Sequence, residues 1–139
     1  MYVSKKTALS LTGKNGITKT KIDQVAKAAA GAARKAKDIN HNGEIDAWEL
    51  GRAAKAAHLT KGEHKVLFSA FGTAFMTSDP DGRANAVSSG KVVAETVQAL
   101  TRDLKSNAGR NRTVQAEDIQ GKTLSNLEIA ILQAAKKAR

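Results

Sequence analysis

The sequence predicts an all-α fold, and three observations carry that prediction. Ala occurs 25 times in 139 residues while aromatic residues make up only 4%. The interior must therefore be built from closely approaching helices with small side chains, not from a ring-filled β-sandwich. Pro80 is the one proline, and apolar residues recur at three- and four-residue spacing over long stretches. With 41% hydrophobic residues, a chain of this length sustains one packed core and reads as a single domain.

Taken in order, residues 1–19 carry mixed signals and read as an extension, a loop or short extended piece around Asn15-Gly16. Thr20-Lys-Ile-Asp23 has the form of a capping box, in which a hydroxyl and a carboxylate cover free helix-end N–H groups. It predicts a helix to about Lys37 with Ile22, Val25, Ala26, Ala29, Ala33 and Ala36 inward. Residues 38–49 are polar and acidic, and a second helix runs from about Ala47 to Ala57. Thr60-Lys-Gly-Glu63 is another capping box, opening the strongest apolar stripe in the chain, from Val66 and Leu67 through Ala70 and Phe71 to Ala74 and Phe75.

Asp79-Pro-Asp-Gly82 marks a turn. Beyond it Val93, Val97, Leu100 and Leu104 form one face of a helix ending near Asn107, and residues 105–112 are a basic connector. Ser125-Asn-Leu-Glu128 caps a last helix with Leu127, Ile131, Leu132 and Ala135 inward, and Lys136, Lys137 and Arg139 suit the negative end of its dipole. The expected organisation is a core over 20–106, preceded by the 1–19 extension and followed by a connector and C-terminal helix over 107–139.

Several functions are excluded. Without cysteine there is no disulfide framework, Cys-ligated zinc, iron–sulfur cluster or thiol nucleophile. No apolar run approaches the roughly 18 residues of a membrane span. The first thirteen residues are too short and polar for a secretory leader, so the chain reads as cytoplasmic by default or as exported without a leader. Gly121-Lys122-Thr123 ends like a phosphate-binding loop, but Ala116 stands where the earlier Gly is required. His41, His58 and His64 lack metal-ligand spacing and suit surface or cap positions. No strained Ser elbow occurs, nor any carboxylate pair apart from the acidic loop. The chain does not read as an enzyme.

Charge is unevenly distributed. Residues 1–37 carry nine basic and one acidic side chain, whereas the next twelve carry Asp38, Glu44, Asp46 and Glu49 and no Lys or Arg. Side chains or carbonyls able to offer oxygen fall at alternate positions 38, 40, 42, 44 and 46, and again at Glu49. A hard cation such as Ca²⁺ takes six to eight oxygens, and a loop wrapped around it turns alternate residues inward. Gly43 permits a sharp turn with positive φ. Ile45 is expected to point into the core, and Glu49 to offer both carboxylate oxygens from the first turn of the outgoing helix.

The segment Asp38-Ile-Asn40-His-Asn42-Gly43-Glu44-Ile45-Asp46-Ala-Trp48-Glu49 resembles the loop of the EF-hand calcium-binding family, matching D-x-N-x-N-G-x-I-D-x-x-E at every patterned position. The resemblance covers the loop and its flanking helices. It implies that Asp38, Asn40 and Asn42 ligate Ca²⁺ through side-chain oxygens and Glu44 through its backbone carbonyl. Asp46 ligates directly or through water, and Glu49 as a bidentate carboxylate. Two neutral Asn ligands and a positive surrounding protein weaken the site, to roughly 10⁻⁶–10⁻⁴ M, with Ca²⁺ preferred over Mg²⁺.

Such loops usually pair. Residues 77–88 have the right length and place Gly82 in register, but Thr77 replaces the leading Asp, Ala84 the branched apolar residue and Ser88 the chelating Glu. A structural partner loop that holds no second metal is the expectation there. Asn15-Gly16-Ile17-Thr18 and Asn111-Arg-Thr113-Val114 resemble the back halves of such loops. Ile17 precedes Ile45 by 28 residues and Ala84 precedes Val114 by 30, which hints at two related halves.

Outside the acidic loop, 23 basic residues face nine acidic ones. That field attracts an acidic protein, nucleic acid or another anionic surface. Met1 and Met76 are the only methionines, so the Met-lined groove of promiscuous calcium sensors is absent. The sequence therefore reads as a non-enzymatic calcium-binding protein whose ion stabilises or switches a helix–loop–helix, with a basic surface for an acidic partner. The alternative is a basic nucleic-acid- or virion-associated protein in which the calcium site is structural.

Overall fold

A computed structural model of the chain describes residues 1–78, 86–108 and 112–138. Its helices are α1 (Lys5–Thr12), α2 (Lys19–Arg34), α3 (Ala47–Ala56), α4 (Lys61–Ser78), α5 (Gly90–Lys105), α6 (Ala116–Ile119) and α7 (Asn126–Lys137). Four two-residue strands interrupt them: β1 (Ile17–Thr18), β2 (Ile45–Asp46), β3 (Ala86–Val87) and β4 (Thr113–Val114). The fold is all-α, with one hydrophobic core drawing on every helix.

The order helix, strand, helix, strand, helix occurs twice, as α1-β1-α2-β2-α3 and as α4-β3-α5-β4-α6. The strands pair antiparallel across these halves: Ile17 opposite Val114 and Thr18 opposite Thr113, then Ile45 opposite Val87 and Asp46 opposite Ala86. Each ribbon takes one strand from each half, so exchanging the halves preserves the pairing. The 16-residue helices α2 and α5 pack against each other at the centre. Small residues permit the approach: a Cβ added to Gly90 would lie 1.8 Å from the carbonyl oxygen of Ala33.

Most helices follow their local signals. At α4, Thr60 N–H donates to Glu63 Oε1 at 3.0 Å and Glu63 N–H to Thr60 Oγ1 at 3.1 Å, closing the expected box. Val66, Leu67, Ala70, Phe71 and Ala74 are buried, with Phe75 half-buried beside Phe71. Ser125 caps α7 as expected, and Leu127, Ile131, Leu132 and Ala135 are buried.

Three expectations are corrected. Residues 1–19 are not a plain extension, because Ser4 caps α1, which buries Ala8, Leu11 and Thr12. Tyr2 bridges to Thr123, and the Met1 amino group donates to the Leu124 carbonyl at 2.7 Å. The cap of α2 is Thr18, whose hydroxyl accepts from Lys21 N–H at 3.2 Å, so the helix begins at Lys19, two residues before the start that a Thr20 cap predicts. Asp23 is instead ion-paired with Lys105 of α5 at 2.7 Å. The strand opposite Ile45 centres on Val87, three residues beyond Ala84. A β-branched side chain, buried to 2% exposure, therefore stands opposite Ile45. Residues 79–85 of the proposed 77–88 loop lie outside the described residues.

Candidate metal centre

The 38–49 loop leaves α2 after its cap at Lys35 and enters α3 through β2. Two consecutive amides bind its first residue, since Asn42 N–H donates to Asp38 Oδ1 at 3.1 Å and Gly43 N–H to Asp38 Oδ2 at 2.8 Å. The chain can curl this tightly because His41 and Gly43 have positive φ, 55° and 81°. Asn42 then holds the far side of the turn. Its Oδ1 accepts from Glu44 N–H at 3.0 Å, and its Nδ2 donates to Asp46 Oδ2 at 3.1 Å.

Glu49 closes the loop from the first turn of α3. It is 1% exposed. Its Oε1 accepts from Asp46 N–H at 2.8 Å, while Oε2 accepts from Ile39 N–H at 2.5 Å and Asn40 N–H at 3.4 Å. One carboxylate thus joins both ends of the loop to the outgoing helix. Ile45 is buried against Val87 as expected, which anchors the loop's back to the core. Asn40, Asn42 and Glu44 are exposed, Asp38 and Asp46 half-buried.

The six sequence-predicted residues therefore lie in one turn of chain, four of them tied to one another or to loop amides through their side chains. Among the described residues, no three His, Asp or Glu side chains come together in a group that could hold a metal ion. The hydrogen bonds give the reason: the carboxylate oxygens of Asp38 and Glu49 are directed onto the loop's own N–H groups. In donor type and loop curvature the residues fit a hard cation; for all of them to face one ion, Glu49 must exchange amide partners for it.

Sequence reasoning missed the role of Asn42 as a strut to Asp46, and the use of Ile39 and Asn40 amides by Glu49. Neither has a signal beyond the loop pattern itself. The sequence marks the second ribbon only as two resembling segments, and the structure pairs them directly, Ile17 with Val114. Compared with protein-family models, curated proteins and solved structures, the chain has no match in any of the three. Among the described residues no helix is long and apolar enough to cross a membrane.

Proposed function

We propose that the protein is a non-enzymatic calcium-binding protein of the EF-hand type, in which Ca²⁺ holds the angle between α2 and α3. The supporting observation is the 38–49 loop, whose oxygen-bearing residues alternate around a turn closed by a buried carboxylate and backed by a strand pair. Ca²⁺ supplies positive charge that neutralises four acidic side chains clustered within twelve residues. Asp38 and Asn42 hold the turn, Ile45 fastens it to the core, and Glu49 links it to α3. Asn40, Glu44 and Asp46 complete the oxygen set. The basic surface elsewhere serves an acidic partner.

The test uses Trp48, the only tryptophan, which sits beside Glu49 and is 46% exposed. Titrating chelator-treated protein with Ca²⁺ should give a saturable change in Trp48 fluorescence, absent from Glu49→Gln and weaker for Mg²⁺. A flat response to millimolar Ca²⁺ in a folded protein overturns the assignment.

A further inference from the structure

The structure gathers five lysines, from three helices far apart in sequence, along one groove. Its centre is a hollow of about 370 Å³ between the end of α1, the first turns of α4 and the second half of α7, with Lys61, Lys65, Lys136 and Lys137 on its walls. Ser10, Leu11 and Gln133 are shared with a second hollow of about 310 Å³, which adds Lys6. On the other side, Lys61, Gly62, Ala134 and Lys137 are shared with a third of about 400 Å³. The walls stand close because α4 and α7 cross at their smallest residues: a Cβ on Gly62 would lie 2.9 Å from that of Ala134.

Among the described residues no ion pair neutralises the positive charge in this groove. Lys136 Nζ donates to the Ser10 carbonyl at 2.7 Å and Lys65 Nζ to Gln133 Oε1 at 3.3 Å, both neutral acceptors. Among the described residues the ion pairs are Lys91–Glu95 and Lys105–Asp23, neither of them here. Among the described residues Glu63 is the one carboxylate on the walls, and it accepts from Thr60 N–H at the start of α4. No residue of the 38–49 loop lines the groove.

We propose that this groove binds the phosphate backbone of a single nucleic-acid strand, without regard to base sequence. Charge complementarity supplies the attraction, and the shape selects a linear polyanion. Between Ile129 and Ala138 the groove follows α7 for about 14 Å at 1.5 Å per residue, the length of about four stacked nucleotides at 3.4 Å each. Among the described residues no aromatic side chain lines it, so bases have no stacking platform there and the phosphates carry the contact. A bilayer suits the groove less well. Leu11, Ala130 and Ala134 are buried in its floor and cannot insert, whereas surface-bound membrane helices bury an apolar face. The proposal names the partner of the basic surface and does not depend on the calcium loop.

The experiment measures binding of a fluorescent oligothymidine to the full chain across a salt series. Four phosphate contacts, the number the length of the groove accommodates, predict a log–log slope of about −2.8, at about 0.7 per contact. The double variant Lys61→Gln/Lys137→Gln should bind at least tenfold more weakly at low salt, with the slope reduced by about 1.4. Lys27→Gln/Lys35→Gln removes the same charge from exposed positions on and beside α2, outside the groove, and should stay within about twofold of the parent. Binding should persist in chelator and in Glu49→Gln, which separates this result from the fate of the calcium reading. Equal weakening by the two double variants, no binding to the oligonucleotide, or groove-dependent binding only to phosphatidylserine vesicles or to polyglutamate overturns the proposal.

Discussion

At the scale of single residues, burial decides which carboxylates are restrained and how. Glu128 is 5% exposed at the start of α7. Its Oε1 accepts from Ser125 N–H at 3.1 Å and from Ser125 Oγ at 3.0 Å. The buried Oε2 has no hydrogen-bond partner among the described residues, and the carboxylate of Asp103 on α5 lies near it. Desolvation first, and then Asp103, push the Glu128 pKa above the ordinary 4.5. Folded chains therefore hold a proton that unfolded chains release, and stability falls as pH rises from the ordinary carboxylate range through the raised value. Glu128→Gln keeps the cap acceptor and offers Asp103 a permanent N–H. It should be more stable than the parent by about 1 kcal/mol at pH 8 and by less at pH 4. Denaturant melts at the two pH values check this, and an equal difference at both refutes the raised pKa of Glu128.

Secondary-structure elements, by contrast, are positioned by contact distance. The crossing of α5 over the end of α2 leaves no room at Gly90, where an added Cβ would meet the Ala33 backbone 1.8 Å away. A backbone atom cannot swing aside as a side-chain tip does. Gly90→Ala is therefore expected to cost about 3 kcal/mol, although alanine is the better helix former. Gly31, on α2 with nothing within 4 Å of its Cβ position, provides the contrast: Gly31→Ala should stabilise by about 0.5–1 kcal/mol. Thermal melts of both variants test the crossing; a tolerated Gly90→Ala contradicts it. The same scale explains the misplaced cap of α2. Thr18 and Thr20 both match a capping residue locally, and the pairing of Thr18 with Thr113 in the second ribbon chooses between them.

For the whole molecule, one core couples every part to every other. The β2–β3 ribbon ties the acidic loop to α4 and α5, and the β1–β4 ribbon ties the first helices to the last. A ligand bound only by the folded chain then stabilises all of it. Ca²⁺ at a hundred times its dissociation constant should add about 2.7 kcal/mol, read as an upward shift of a single unfolding transition followed by both Trp48 fluorescence and far-ultraviolet circular dichroism. Two separated transitions, with only the first moved by Ca²⁺, refute the coupling.

The 12-residue loop, the Thr60 and Ser125 caps and the stripes of α2, α4, α5 and α7 were legible in the sequence alone. Their signals are complete within a few turns of chain, through side-chain oxygens that reach N–H groups three residues on and apolar faces that repeat every three or four. The all-α class followed from the same periodicity and the alanine content. Tertiary structure decided the rest. α1 has a polar eight-residue sequence and owes its place to contacts with α6 and α7. Val87, not Ala84, lies opposite Ile45 because the buried ribbon selects a branched side chain 42 residues away along the chain. Lys61, Lys65 and Lys136 come to line one hollow with Ser10 only when α1, α4 and α7 converge. No local pattern reports such meetings, because the partners that determine them are brought together only when the core closes.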